Sequence, residues 1–221
     1  MLFIYTNMRY THIIWDFNVT ILNDIDVGIA AVNAVLKKYG KKTIDSVEFY
    51  REKFCFPVID YYDSIGLERE NFDIYAPAWF SEYNDREPNA GVFDGVVEML
   101  EYFRENGYPQ YLLSATERDM LKKQTDRLGI SEYFTELIGQ DSIEAHGKKG
   151  EAIAFVNRVK PEKVLLIGDT LHDFEVACAI NADCYLLAYG HQAKKRLEST
   201  GCRVFNDIRD VLNAFKNGEI S

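Results

Sequence analysis

Short apolar runs alternate with longer stretches of helical periodicity along most of the chain. The runs have the length of buried strands, and the stretches repeat apolar residues every three to four positions, as amphipathic helices do. Strands that alternate with helices of this length predict an α/β fold with a mostly parallel sheet. The predicted strands are His12–Phe17, Gln110–Leu113, Glu136–Gly139, Lys163–Ile167, Cys184–Leu187 and Arg203–Phe205; the predicted helices are Val96–Asn106, Glu117–Leu128, Lys149–Arg158, His172–Ile180, Ala193–Ser199 and Ile208–Phe215.

The alternation is interrupted after the first strand by a long segment without a convincing buried strand. Four helices are predicted there: Val27–Tyr39, Ile44–Phe54, Val58–Ile65 and Phe72–Tyr83. About 70 residues are too many for an ordinary loop, so the segment predicts a helical subdomain. We therefore expect a core made of residues 1–22 and 94–221 and a helical insert of residues 23–93, with hinges near Leu22–Val27 and Glu87–Phe93.

Charge and composition exclude several classes of function. The 221 residues carry a formal charge of -10, which argues against a nucleic-acid binder or a polybasic membrane-surface protein. No apolar run reaches about 18 residues, so no membrane span is expected. The N-terminus lacks the pattern of a secretory signal, and a cytoplasmic location is predicted, with Met8 as an alternative start.

The four cysteines, Cys55, Cys178, Cys184 and Cys202, form no CxxC pair. This spacing disfavours a structural zinc site or a disulfide framework. Cys178 and Cys184 lie in apolar surroundings and are expected in the core.

Carboxylates follow two of the predicted strands at the point where each strand ends. Asp16 follows the first strand, Asp169 follows the fourth, and Asp173 lies one helical turn beyond Asp169. Ligands of open α/β sheets bind at this carboxyl edge. Each acid alone could be a turn or helix-capping residue. Together they could hold a hard cation with oxygen ligands, typically Mg²⁺, which would also offset the negative charge of a phosphorylated substrate.

Two further side chains are candidates for chemistry. Ser114 ends the second strand, where it could act on a ligand or cap the next helix. Lys148 stands where a helix starts, a position unfavourable for a cation, which suggests that it faces an anion. The alternative is a solvated lysine.

The order of these residues resembles the four motifs of the haloacid dehalogenase superfamily. The motifs are Asp-x-Asn-x-Thr at 16–20, Ser114, Lys148 and Gly-Asp-x-x-x-Asp at 168–173. The resemblance covers about residues 10–210 and is greatest to phosphoglycolate-phosphatase-like hydrolases. It implies a Rossmann-like core, a helical cap formed by the insert, and Mg²⁺ as cofactor.

The resemblance also implies a role for each motif residue. Asp16 would be the nucleophile that forms an aspartyl-phosphate, and Ser114 would bond the phosphoryl group. Lys148, with Lys149 as the alternative, would offset the charge on both. Asp169, Asp16 and the backbone carbonyl of Asn18 would ligate Mg²⁺. Asp173 would complete the metal site by orienting metal-bound water or the lysine. Thr20, Arg51 and Ala115 are predicted to contact the substrate.

Two residues of the first motif depart from the family's pattern. Asn18 stands where the family has an Asp that acts as general acid and then as base, and an amide can do neither. Since such catalysis is worth about 10²–10⁴-fold, slow hydrolysis of alkyl phosphates is expected. Val19 stands where the family has Gly, so a positive φ there would be costly.

The sequence therefore predicts an Mg²⁺-dependent phosphatase that acts on a small phosphorylated metabolite. The alternative is a non-catalytic relative that binds a phosphate ligand or a partner. A carbon–halogen hydrolase, a phosphotransferase and a mutase are less well supported. Arg51 is the preferred contact to the substrate's distal end; Lys53, Phe56, Tyr61 and Tyr62 share that cap, where surface charge and cap core are the alternative readings. The oligomeric state is not predicted.

Overall fold

A computed structural model describes residues 9–140 and 148–219 of the chain. The alternative start at Met8 lies outside these residues. The strands form one six-stranded sheet in the order β3-β2-β1-β4-β5-β6, with every pair parallel. They are β1 His12–Trp15, β2 Gln110–Glu117, β3 Glu136–Gln140, β4 Val164–Gly168, β5 Asp183–Leu187 and β6 Arg203–Phe205. The predicted α/β class is confirmed.

Ten α-helices are found in the described ranges, together with three single-turn 3-10 helices at Arg69–Asn71, Glu87–Asn89 and Ser131–Tyr133. Four α-helices lie in the segment predicted to be a helical insert after β1: α1 Ile25–Lys38, α2 Val47–Lys53, α3 Val58–Ser64 and α4 Phe72–Arg86. The other six are α5 Val96–Glu105, α6 Arg118–Arg127, α7 Lys148–Val159, α8 Leu171–Ala179, α9 Lys194–Glu198 and α10 Ile208–Lys216.

Alternating side chains of the sheet pack into two separate hydrophobic cores. Ile13 and Trp15 of β1 pack with residues of α5, α6 and α10, whereas Ile14 packs with residues of α7, α8 and α9. This is the period-two alternation of a strand that is covered by helices on both faces. Because helices cover both faces of the sheet, a ligand can reach it at the carboxyl ends of the strands.

The helical segment has a hydrophobic cluster of its own. Val32, Leu36 and Tyr50 are buried there with aromatic residues of α3 and α4. Helix α1 packs mainly against α4. A separate core of this kind favours the predicted division at residues 23–93, which stays a prediction.

Several element boundaries differ from those predicted. Strand β2 extends to Glu117, across an irregularity in its pairing with β3, so Ser114 lies within the strand. The cap of α6 is Glu117, whose carboxylate accepts hydrogen bonds from the N–H groups of Asp119 and Met120, both at 3.0 Å. Ser114 is therefore not a helix cap. Helix α2 starts at Val47 because the Ser46 hydroxyl accepts from Phe49 N–H.

One of the two cysteines expected in the core is exposed. Cys184 is buried on β5, but Cys178 lies on the outer side of α8, while its neighbours Val176 and Ala177 face the core. The prediction for Cys178 is wrong because apolar neighbours in sequence do not fix the side of the helix. All four cysteines are free thiols. Among the described helices, none is long and apolar enough to cross a membrane.

Candidate active site

The strand-end acids meet at the middle of the sheet. Strands β1 and β4 are neighbours, and Asp16 N–H donates to the carbonyl oxygen of Ile167 at 2.9 Å. This pairing brings the residue after β1 beside the residue after β4. Carboxylate oxygens of Asp16, Asp169 and Asp173 lie within 4.8 Å of one another, and all three residues are buried. The structure thus brings together the three acids that the sequence singled out.

Lys148 lies among these acids at the first turn of α7. Its Nζ donates to Asp16 Oδ1 at 2.5 Å and to Asp173 Oδ1. Only 3% of Lys148 is exposed, whereas Lys149 is exposed to solvent. Burial opposes the charge on Lys148, but the two carboxylates outweigh burial and raise its pKa. Lys148, and not Lys149, is therefore the lysine that the fold brings to the acids.

Asp173 both caps a helix and holds the lysine. Its Oδ2 accepts from the N–H groups of Asp169 at 3.1 Å and Thr170 at 3.0 Å, and from the Thr170 hydroxyl at 2.7 Å. Its Oδ1 accepts from Lys148. Burial would raise the pKa of Asp173, but Lys148 and these donors lower it. The carboxylate is therefore ionised and fixed in place.

Asp16 and Asp169 are less stable in the ionised form than Asp173 is. Burial raises the pKa of Asp16 to about 6 against the effect of Lys148, and it raises that of Asp169 well above its ordinary value. Three acids and one lysine leave an excess of negative charge in a buried place. Carboxylate oxygens are the ligands that Mg²⁺ prefers, so the donor set and the charge fit a divalent cation.

Hydroxyl groups surround the nucleophile candidate. Thr20 Oγ1 donates to Asp16 Oδ2 at 2.8 Å and lies 3.2 Å from Asp169 Oδ1, so it ties the two acids together. Ser114 is buried, and its Oγ accepts from Thr116 N–H at 3.0 Å. Ser114 and Ala115 line the cavity above the acids.

Asn18 belongs to a network that sequence reasoning did not predict. Its Nδ2 donates to Asp24 Oδ2 at 2.9 Å and lies 3.1 Å from Tyr83 Oη, and its Oδ1 accepts from Thr116 Oγ1 at 3.1 Å. Tyr83 also donates to Asp24 Oδ2, at 2.5 Å. Burial raises the pKa of Asp24 above its ordinary value. Val19 has a φ of 53°, so valine adopts the left-handed conformation that was expected to be costly.

A cavity of about 410 Å³ lies between these residues and the helical segment. Of the predicted distal contacts, Phe56, Tyr61 and Tyr62 line it. Arg51 does not line it, because its guanidinium donates to the main-chain carbonyls of Tyr189 and Gly190. The structure therefore does not bring Arg51 to the cavity. Lys53 is likewise absent from the lining and lies over the ring of Phe49.

Several residues that line the cavity were not predicted from the sequence. His191 stacks on Phe54 at 4.2 Å, and desolvation lowers the pKa of His191 to about 3. His191 follows β5 at the same carboxyl edge as the acids. The rule that ligands bind where parallel strands end, here called the strand-end rule, could therefore have predicted it. Asp24, Trp79 and Tyr83 carry no such signal, because their position depends on how the helical segment packs.

Comparisons with known proteins identify the family to which this fold belongs. A family model described as haloacid dehalogenase-like hydrolase matches residues 13–188. The chain is 23% identical over 211 residues to phosphoglycolate phosphatase 1 of Pseudomonas aeruginosa, covering 90% of this chain and 78% of that protein.

Solved structures with low sequence identity share the fold. A haloacid dehalogenase-like family hydrolase from Streptococcus pneumoniae superposes with a TM-score of 0.80 at 20% identity, covering 93% of this chain and 98% of that chain. A predicted phosphoglycolate phosphatase from Haemophilus somnus superposes with a TM-score of 0.75 at 16% identity, covering 95% of this chain and 100% of that chain. The chain therefore belongs to the haloacid dehalogenase-like hydrolase family, in its phosphoglycolate phosphatase-like branch, and the predicted family is confirmed.

Proposed function

We propose that this chain is an Mg²⁺-dependent phosphatase that hydrolyses a small phosphorylated metabolite through an aspartyl-phosphate on Asp16. The observation that carries the proposal is the placement of Asp16. Its two oxygens accept from Lys148 and Thr20 at the floor of a cavity, beside Asp169 and Asp173. A carboxylate nucleophile divides one difficult displacement into two easier ones.

The side chains around Asp16 supply position and charge. One Asp16 oxygen attacks phosphorus, and Lys148 offsets the charge on the phosphoryl oxygens from its place beside Asp16 Oδ1. Asp173 keeps Lys148 charged and in place. The Ser114 hydroxyl accepts from Thr116 N–H and donates to Thr116 Oγ1, both at 3.0 Å, and it would turn its proton to the transferring group when a substrate binds. Phosphoryl transfer depends mostly on such positioning and electrostatic stabilisation.

Asp16, Asp169 and the main-chain carbonyl of Asn18 would hold the Mg²⁺ ion, with Asp173 close behind them. A bound Mg²⁺ would neutralise charge on the phosphoryl oxygens. The excess of buried carboxylates over Lys148 supports this assignment, since burial and the neighbouring carboxylates together raise the pKa of Asp16 and Asp169.

The helical segment of residues 23–93 would act as the cap of the site. Its side chains line one wall of the cavity, and its Tyr83 bonds Asp24 beside the core motif. A cap in this position excludes water during phosphoryl transfer. Arg51 would brace the cap against the core carbonyls of Tyr189 and Gly190, in place of the substrate contact expected from the sequence.

The test is Mg²⁺-dependent hydrolysis of an aryl phosphate with an acid-quenched assay for the phosphoenzyme. Asp16→Asn keeps the shape of the side chain and should abolish both turnover and a hydroxylamine-sensitive phosphoenzyme. The matched control is Asp26→Asn, an exposed acid on α1, which should behave as the unaltered chain does. Turnover that survives in Asp16→Asn would contradict the proposal.

Asn18 favours a second candidate, a relative that binds a phosphate ligand without turning it over. An amide supplies neither a proton nor a base. Inorganic phosphate that binds in the presence of Mg²⁺, without hydrolysis of any ester, would establish this alternative in place of the phosphatase.

A further inference from the structure

We propose that the substrate is an aryl phosphate, in which a small apolar aromatic ring carries the phosphate on a phenolic oxygen. The inference rests on the proposed function and names its substrate class. Two independent observations lead to it: the chemistry of the cavity wall and the amide at position 18. The branch to which the chain belongs is named for a different substrate, a small carboxylate-bearing phosphate.

The wall opposite the acids is made mostly of aromatic side chains. Helix α4 contributes Trp79 and Phe80, and the segment from α2 to α3 contributes Phe54, Phe56, Tyr61 and Tyr62. A volume of about 410 Å³ falls in the range of small-molecule sites, about 300–1,000 Å³. Aromatic walls recognise flat apolar groups through ring contacts at their faces and edges. The wall therefore fits a ring better than a short polar chain.

The same wall is unsuited to a second anionic group on the substrate. Among the described residues that line the cavity, Lys148 is the only lysine or arginine, and it is paired with Asp16 and Asp173. Asp24 and Glu117 add further acids to the lining. A substrate carboxylate would lose its hydration there without gaining a cation. Phosphoglycolate is thus a poor match to this cavity.

The chemistry of the leaving group also favours an aryl phosphate. Asn18 donates to Asp24 and accepts from Thr116, and an amide cannot protonate a departing oxygen. An alkyl alcohol is about as weak an acid as water, so its ester needs that proton. A phenol has a pKa of about 10 and departs as phenolate without it.

The reaction balances without a general acid. An Asp16 oxygen forms a bond to phosphorus while the bond from phosphorus to the phenolic oxygen breaks, and the electron pair leaves on the phenolate. Water then attacks phosphorus, the bond to Asp16 breaks, and the water proton passes to the released phosphate. The phenolate takes its proton from bulk water.

Four esters separate the two parts of the proposal: phenyl, benzyl and ethyl phosphate, and phosphoglycolate. Benzyl and ethyl phosphate share an alkyl leaving group, so the ring should give benzyl phosphate a KM at least about tenfold lower. Phenyl phosphate should exceed benzyl phosphate in kcat/KM by about 10²–10⁴-fold, because this ratio reports the transfer to Asp16, in which no group supplies the proton, and not the later hydrolysis of the phosphoenzyme that both esters share. Phosphoglycolate should have the lowest kcat/KM.

Substitutions in the cap test whether the aromatic wall of the cavity is the cause of the preference for aryl phosphates. Phe80→Ala and the milder Phe80→Leu should raise the KM for phenyl phosphate, the former about tenfold. Phe49→Ala, an exposed aromatic on the neighbouring α2 that does not line the cavity, should leave it unchanged. Unfolding curves confirm that each variant folds, and phenylphosphonate inhibition reports ring binding without turnover.

The possible failures are distinguishable. Mg²⁺-dependent turnover that requires Asp16 but prefers phosphoglycolate, or equal KM values for benzyl and ethyl phosphate, would overturn the aryl substrate and leave the phosphatase standing. No turnover of any ester would overturn both.

Discussion

Asn18 and Asp24 have complementary hydrogen-bonding groups, an amide N–H facing a carboxylate oxygen at 2.9 Å. Asp24 Oδ1 accepts from the N–H of Val19, and its Oδ2 also accepts from Tyr83. An aspartate at position 18 would place a second carboxyl against a buried one, and two carboxyls at that distance cannot both ionise. The amide at position 18 is therefore matched to Asp24.

This pairing makes a prediction about restoring the usual acid. Asn18→Asp should increase hydrolysis of alkyl phosphates, but it should lower the free energy of unfolding by about 1–3 kcal/mol, because one donor is lost. The double variant Asn18→Asp with Asp24→Asn reverses the direction of the hydrogen bond. It should keep the gain in alkyl turnover and regain most of the stability.

Urea unfolding and rates with benzyl phosphate check both effects, and Asp24→Asn alone is the control. Equal stabilities of Asn18→Asp and the double variant would show that the two side chains are not coupled. An unchanged alkyl rate would show that position 18 does not serve the leaving group.

Two buried tyrosines in the cap differ in the hydrogen bonding of their hydroxyl groups. The hydroxyl of Tyr50 bonds His191 Nδ1 at 2.7 Å, whereas that of Tyr61 is buried without a hydrogen-bond partner among the described residues. Removing a satisfied hydroxyl should cost about 0.5–1.5 kcal/mol, and removing an unsatisfied one should not. Tyr50→Phe should therefore lower the free energy of unfolding, while Tyr61→Phe should leave it unchanged or raise it. Equal losses in thermal or urea unfolding would contradict this.

At the scale of elements, the strand-end rule accounts for what the sequence could predict. Asp16, Ser114 and Asp169 follow apolar runs on neighbouring parallel strands, so register alone brings them together. The wall of the cap could not be predicted in this way. Tyr75, Trp79 and Tyr83 of helix α4 are spaced four residues apart and share one face, yet Tyr75 is buried in the cap core whereas Trp79 and Tyr83 line the cavity. An aromatic face of this kind predicts burial and does not show which of its members reach a cavity.

Close packing between the segment after β5 and the segment after β4 positions Asp169. A Cβ on Gly190 would overlap the side chain of Asp169, so only glycine fits there. The Asp169 carboxylate also accepts from the N–H of His191. The position of this metal-ligand candidate is thus set by an element other than its own.

Gly190→Ala should displace Asp169 and lower kcat/KM by about 10²-fold, since shifts of about 1 Å at a site have effects of that size. A higher Mg²⁺ concentration should recover part of the loss. Gly150→Ala in α7 has open space around its Cβ and should keep full activity while gaining about 0.5–1 kcal/mol in stability. Kinetic titration with Mg²⁺ checks both, and wild-type kinetics in Gly190→Ala would exclude this packing role.

At the scale of the whole molecule, the chain carries a formal net charge of -10. The sequence could not show how the local charge is divided, because that depends on burial. Asp173 is ionised by its pairing with Lys148, whereas burial raises the pKa values of Asp16 and Asp169. A divalent cation would therefore compete with protons chiefly at Asp16 and Asp169.

That competition predicts how stability depends on pH. Because the folded pKa of Asp16 is raised to about 6, its contribution to metal-free stability is present below the unfolded value and is lost as pH rises through about 6. Asp169 acts in the same direction, and Asp173, with its lowered pKa, acts in the opposite one. A bound Mg²⁺ would require the ionised carboxylates, so the metal should restore stability where these protons have left.

The increase in unfolding free energy caused by saturating Mg²⁺ should thus be small near pH 5 and reach about 2–3 kcal/mol near pH 7.5, the value for a ligand at about 100 times its Kd. Urea unfolding with and without Mg²⁺ at both pH values measures it. Asp169→Asn removes a candidate ligand and should abolish most of the increase at the higher pH. An Mg²⁺ effect of equal size at both pH values would mean that the ion binds away from Asp16 and Asp169, because only a site made of carboxyls with raised pKa values exchanges its protons for the metal in this range.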